Sequence, residues 1–258
     1  MLTISHGETK ASIAPERGAL VAGLTVAGRA VLFLDQASFD DPTKNVRGGI
    51  PVLFPYAGKL ENGTFLAAGT KMGQHGFGRN KKWTPTEQTA DTLTVRLTPD
   101  DETRAVYPYE FVAEQTATIL PRGLQVDLLV GNLGTKPMPV SPGWHPYYSC
   151  PGAQKGAVTG DVAGFTPDKI GNDREFDFGL SAPASGRARF AVPGLGALSI
   201  RFSPEMRHMQ FWSLPGKDFI CLEPFFGPNN TVNTDRRMDI PAGAYRNFSM
   251  RIQLEPAG

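Results

Sequence analysis

The sequence predicts an all-β fold, a large antiparallel β-sandwich in one domain over residues 1–258, and three observations predict it. Apolar and polar residues alternate in several separate runs, the period-2 pattern of half-buried strands. No window of a dozen residues carries the 3.6-residue apolar stripe that a core-facing helix needs. Finally, 29 glycines and 22 prolines punctuate the whole chain, which suits short strands joined by turns and long loops. With 40% apolar and 20% charged residues, the 258-residue chain can bury a substantial core and is not of disordered composition.

Taken in order, Leu20 to Val26 and Ala30 to Leu34 flank Ala27-Gly28-Arg29, which reads as a hairpin. Leu93, Val95 and Leu97 alternate with Thr94, Arg96 and Thr98, a half-buried strand. A strand from Phe111 to Leu120 leads through Pro121-Arg122-Gly123 into a second, in which Leu124, Val126, Leu128 and Val130 share one face; the two predict a hairpin. Leu198, Ile200 and Phe202 alternate again, as do Phe248, Met250, Ile252 and Leu254 near the C-terminus. Two segments, 45–80 and 134–187, are broken by glycine and proline and read as long loops. Long loops in a compact domain are often functional.

Lys plus Arg number 26 against 25 Asp plus Glu, so the charge balance gives no reason to expect nucleic acid or an anionic membrane as partner. The opening residues have no signal-type apolar core. The apolar run from Ala19 to Leu34 is interrupted by Gly23, Thr25, Gly28 and Arg29, too polar a run to span a bilayer. Two cysteines, Cys150 and Cys221, make neither a disulfide framework nor a zinc pattern. A cytoplasmic setting is therefore the expectation, and nothing bears on oligomeric state.

Chemistry-bearing residues fall in three places. The first is Gln74-His75-Gly76-Phe77-Gly78-Arg79, where an imidazole and a guanidinium lie beside glycines that let another group approach the main chain. The second is Trp144-His145-Pro146-Tyr147-Tyr148, one imidazole in a rigid aromatic frame. The third is Glu223-Pro224 after the apolar run Ile220-Cys221-Leu222; a carboxylate in such company has a partner or a task. Each has a plainer alternative: a turn with surface His and Arg, a core histidine among core aromatics, and an acceptor for loop amides.

Together and in this order, the three motifs resemble the aldose 1-epimerase (mutarotase) family. Arg47-Gly48-Gly49-Ile50-Pro51 looks like that family's upstream segment, and Ile240-Pro241-Ala242-Gly243 fits its ending. The resemblance implies a galactose-mutarotase-like β-supersandwich and interconversion of aldose anomers, with Glu223 as general base, His145 as general acid and His75 beside the ring oxygen. It requires no metal or other cofactor. The aromatics Trp144, Tyr147, Phe77 and Phe225 are then candidate faces for the sugar, with core packing as the alternative. The family's further acidic residue matches one of Asp168, Asp173, Glu175 and Asp177, without a choice among them.

The partner so implied is a small-molecule sugar or sugar phosphate. Arg47 and Arg79 match arginines near the phosphate in the family's hexose-6-phosphate branch, with Lys59 as a third cation, and Gln74 joins them as a binding residue. Pairing of these arginines with local carboxylates such as Glu61 is the alternative. Two rival functions remain: an inactive carbohydrate-binding or regulatory protein on the same fold, and a metal-dependent cupin-type enzyme. The cupin pattern of closely spaced histidines on one strand is missing here.

Overall fold

The computed structural model describes residues 1–256. Its centre is the hairpin Phe111–Leu120 with Gly123–Asn132, paired without a bulge from Phe111 opposite Asn132 to Leu120 opposite Gly123. Strict alternation explains why this pair leads. Phe111, Ala113, Ala117 and Ile119 on one strand and Leu124, Val126, Leu128 and Val130 on the other all turn to the core. Burying each of the larger side chains contributes roughly 1.5–3 kcal/mol.

An eight-stranded sheet spreads from that hairpin, every neighbouring pair antiparallel. Its order is Thr159–Gly160, Arg187–Val192, Gly196–Phe202, Tyr245–Leu254, Gly123–Asn132, Phe111–Leu120, Thr92–Leu97 and Thr84–Gln88. A six-stranded sheet opposes it: Phe176–Ser181, His208–Ser213, Phe219–Phe225, Gly143–Trp144 and Val52–Leu53 in order, with Tyr147–Ser149 also paired to Phe219–Phe225. Met209, Phe211, Ile220 and Leu222 of this second sheet join the same core as the first, and Phe211 meets Phe190 across the layers with ring centroids 6.1 Å apart. A four-stranded sheet, Leu2–His6, Thr9–Ala14, Leu20–Val26 and Arg29–Ala30, adds Ile4, Ala11, Ile13, Leu24 and Val26 to that core. No helix among the described residues is long and apolar enough to cross a membrane.

Three expectations need correction. The first hairpin turns through Ala27 and Gly28, both at positive φ, and its second strand is only Arg29–Ala30. Beyond it the chain leaves to bridge Leu32 to Tyr148 and Leu34 to Gly48, which buries Val31 and Leu32 against other sheets. Neither long segment is one loop: 45–80 holds the two-residue strands Val52–Leu53, Thr64–Phe65 and Thr70–Lys71, and 134–187 holds more. The latter contains Met138–Val140, Gly143–Trp144, Tyr147–Ser149, Thr159–Gly160 and Phe176–Ser181, most of them too short between prolines and glycines to show a period. Two short helices, Gln36–Asp40 and Asp101–Val106, form under side-chain caps from Asp35 and Asp100 rather than from an apolar stripe.

Candidate active site

Alternation in the six-stranded sheet decides what faces outward. In His208–Ser213 and Phe219–Phe225 the residues between the core positions, Gln210 and Trp212 on one strand and Glu223 and Phe225 on the other, present themselves to a cleft of about 700 Å³. Gln210 lies directly opposite Glu223 in the register. The strand edge at Val52–Leu53 brings in the next motif: Trp144 pairs with Val52, and the His145 and Tyr147 amides donate to the carbonyls of Pro51 and Gly49. Two motifs nearly a hundred residues apart thus share one ladder.

The Gln74–Asn80 segment is laid against that sheet by close backbone approach. The Phe77 and Gly78 amides both donate to the Phe54 carbonyl at 2.9 Å. A Cβ on Gly76, whose φ is +66°, would lie 2.4 Å from that carbonyl oxygen. His75 itself adopts φ 69°, a conformation costing about 1–3 kcal/mol outside glycine, held by a pair of bonds to Gly58. The His75 amide donates to the Gly58 carbonyl at 2.8 Å, and the Gly58 amide donates to Nδ1 of the ring at 2.9 Å. With Nδ1 accepting, the neutral ring carries its hydrogen on Nε2, 3.0 Å from the Gln74 side-chain amide, which accepts that hydrogen with its oxygen turned toward the ring. Burial, then the neighbouring His145, Arg79 and Lys59, holds His75 well below the usual histidine range, so it is a neutral donor.

At the floor, Nε2 of His145 stands 3.5 Å from Oε2 of Glu223. Neither Glu223 oxygen has a hydrogen-bond partner, nor does His145 Nδ1, although Glu223 is only 1% exposed. Burial is the main cause of opposite shifts. Glu223 is pushed well above the carboxyl range, reinforced by Asp177, while His145 is held down at about 3, with Arg79 adding to the effect. The His145 ring stacks on Tyr147 at 4.7 Å and meets Trp212 edge-on at 5.7 Å, while His75 lies 5.6 Å away. Such an arrangement can pass a proton between a carboxyl and an imidazole, with an N–H donor beside them.

All six residues singled out in the sequence, His75, His145, Glu223, Gln74, Arg47 and Arg79, line this one cleft, as does Lys59. Arg47 and Arg79 pair with no carboxylate among the described residues; Arg79 donates to the Gln74 carbonyl at 3.2 Å. Of the four acidic candidates, Glu175 and Asp177 line the cleft, whereas Asp168 and Asp173 do not. Trp212 donates to Glu175 at 2.9 Å, and the Gln210 amide donates to Asp177. Two of the proposed aromatic faces are core: Trp144 is fully buried and donates to Gln115, and Phe77 packs on Phe54, Tyr107 and Phe111. Tyr147 and Phe225 do reach the cleft. Gln210 and Trp212 went unread in the sequence; the signal was the alternation in His208-Met209-Gln210-Phe211-Trp212, one strand before Glu223.

Among the described residues, one trio of metal-capable side chains has its donor atoms within 4.8 Å of one another: His145, Cys221 and Glu223. Cys221 fits that role poorly. It packs with Tyr147 and Phe219, and burial pushes its thiol well above the ordinary range, so a metal would first have to strip a proton in an apolar setting.

The aldose 1-epimerase family model matches residues 1–164, more than half of the chain. An Escherichia coli K12 protein named "Putative glucose-6-phosphate 1-epimerase" is 32% identical over 118 residues, covering 43% of this chain and 37% of that protein. The chain thus matches well under half the length of that relative. Among solved structures, the Slr1438 protein of Synechocystis sp. PCC 6803 is 28% identical with a TM-score of 0.90, over 98% of this chain and 96% of that one. A galactose mutarotase-like protein from Lactobacillus casei ATCC 334 is 21% identical with a TM-score of 0.78, over 99% and 100%. The two opposed antiparallel sheets are therefore the galactose-mutarotase-like sandwich, and the chain belongs to the aldose 1-epimerase family.

Proposed function

We propose that this chain interconverts the α and β anomers of an aldose by ring opening and closure, with Glu223 and His145 as the proton-transfer pair. The observation that carries the reading is the buried, unpartnered Glu223 carboxyl 3.5 Å from His145 at the floor of an open cleft. A buried polar group without a partner costs free energy, and sugar hydroxyls would supply the missing bonds.

One member of the pair takes the proton of the anomeric hydroxyl. The C1–O1 bond becomes a carbonyl, the C1–O5 bond breaks with its electrons on O5, and O5 takes a proton from the other member. Rotation about C1–C2 and the reverse transfers close the ring on the opposite face. The pair needs one proton in total, and the opposed shifts of Glu223 and His145 keep that count over a broad pH range. Family resemblance assigns Glu223 the base role and His145 the acid role. The His75 Nε2–H supports charge developing on oxygen. Each proton-transfer group typically contributes about 10²–10⁴-fold.

Cleft composition supports a phosphorylated hexose as substrate. Lys44, Arg47, Lys59 and Arg79 line it together, and free guanidinium forks suit a phosphate dianion. Asp177 and Glu175 stand ready to accept from sugar hydroxyls, with Tyr147, Trp212 and Phe225 offering apolar faces to C–H groups. The test is NMR exchange spectroscopy with hexoses, pentoses and hexose 6-phosphates. Accelerated anomer exchange is expected, fastest with a 6-phosphate; no acceleration with any sugar would overturn the reading in favour of a binding protein.

A further inference from the structure

The wall of the cleft that carries Lys44 and Arg47 is a loop with little sheet support. Asp35, Ala37, Ser38, Lys44, Val46 and Arg47 line the cleft from this loop, yet the only regular element here is the short helix Gln36–Asp40. Its own fastenings are the Asp35 cap on the Ala37 and Ser38 amides, the Arg47 amide donating to Ser38 Oγ at 2.9 Å, the Asp35 amide donating to the Arg47 carbonyl at 2.9 Å where the loop closes, and the Lys44–Asp41 ion pair at 3.1 Å. Beneath it, Phe39 and Val46 rest on the small apolar group Ala14, Leu20 and Ala22.

One side chain from outside ties the loop together. A terminal nitrogen of Arg17 donates to the carbonyls of Ser38 at 3.0 Å, Asp41 at 3.0 Å and Lys44 at 3.1 Å. Three acceptors on one nitrogen span the whole bend, and no carboxylate lies within ion-pair distance of Arg17 among the described residues. Arg17 is itself fixed against the other side of the cleft. The next residue, Gly18, has φ +72°, and a Cβ there would lie 2.0 Å from the Arg79 carbonyl oxygen. The same corner of chain therefore abuts Arg79 and grips the loop that presents Lys44 and Arg47. A hollow of about 240 Å³ beside the cleft is lined by both Arg17 and Arg79.

We propose that Arg17 is a positioning residue: it holds the segment 36–47 as the cationic wall of the cleft and so sets how tightly the end of the substrate facing Lys44 and Arg47 is bound. Arg17 does not line the cleft that holds Glu223, so it has no part in proton transfer there. The kinetic consequence rests on the epimerase reading; the mechanical one does not.

The experiment uses Arg17→Met, which keeps the stem and removes the donors, and Arg17→Lys, which keeps one cationic donor. Hydrogen–deuterium exchange is followed at the Ser38, Phe39, Lys44 and Arg47 amides, beside kcat and KM for glucose 6-phosphate. Arg17→Met is expected to speed exchange there and raise KM about tenfold, the equivalent of one lost charge-assisted bond, with kcat within about twofold. Arg17→Lys is expected to recover part of both. Unchanged exchange overturns the brace. Faster exchange with unchanged KM, or kcat falling in step with thermal stability, reduces Arg17 to a structural residue. A wild-type protein that turns over no sugar sinks the epimerase reading separately, and exchange at residues 36–47 still decides the brace.

Discussion

Glu223 and His145 face each other across 3.5 Å with their side-chain polar atoms otherwise unpartnered, Glu223 on the strand Phe219–Phe225 and His145 in the link between Gly143–Trp144 and Tyr147–Ser149, which both pair with that strand. Glu223 sits on the face of its strand opposite Ile220 and Leu222, which belong to the core. A carboxyl and an imidazole so placed have no structural bond to make with the rest of the chain.

Glu223→Gln should therefore cost activity and not stability. The amide keeps the shape but neither gives nor takes the shared proton, so kcat should fall by about 10²–10⁴-fold. Calorimetry should show a melting temperature close to wild type, because one unpartnered neutral polar group replaces another of the same shape. A folded variant with full turnover would make the carboxyl a bystander.

The pH profile follows from the opposed shifts. His145, held at about 3, takes a second proton only in strong acid; Glu223, raised well above the ordinary carboxyl range, releases the shared proton only at correspondingly higher pH. After subtracting spontaneous mutarotation, the rate should show no acid limb near the ordinary histidine value and should decline only as pH approaches about 3. An acid limb centred near an ordinary histidine value would mean that the pair is solvated and uncoupled.

Arg47 and Arg79 differ in their surroundings, and their alanine variants should differ too. Arg47→Ala should lower turnover of glucose 6-phosphate about ten- to a hundredfold while sparing glucose. Arg79→Ala should do the same and also slow glucose, because Arg79 holds the Gln74 carbonyl beside His75. Equal losses on both sugars for Arg47→Ala, or a wild type that prefers glucose, would remove the phosphate from the proposed substrate.

Exhaustive chelation should leave the rate unchanged, since every proposed step moves a proton between groups of the chain and the sugar. Activity lost with a stoichiometric metal, and restored by adding it back, would assign that metal to His145, Cys221 and Glu223.

Much of this is legible in the sequence, and the reason is periodicity. Phe111–Leu120 and Gly123–Asn132 alternate so strictly that their pairing follows from the pattern, and the motif residues announced themselves by sitting in unsuitable company, as Glu223 does after Leu222. What escaped reading was whatever depends on a neighbour distant in sequence. Trp144 and Phe77 resemble their cleft-lining counterparts Tyr147 and Phe225 in type; only the register against Val52 and the contact with Phe54 turn them inward. The choice of Glu175 and Asp177 over Asp168 and Asp173 likewise needed the strand Phe176–Ser181 to be placed beside His208–Ser213.

The strand Tyr245–Leu254, though last in the described chain, is seated in the interior of the eight-stranded sheet, between Gly196–Phe202 and Gly123–Asn132. During synthesis, the edge of Gly123–Asn132 therefore waits unzipped while more than a hundred further residues are made. An exposed strand edge is a template for pairing with other chains. The nascent protein thus spends its most adhesive interval on the ribosome, and its yield in a cell should depend on holdase chaperones more than its finished stability would indicate.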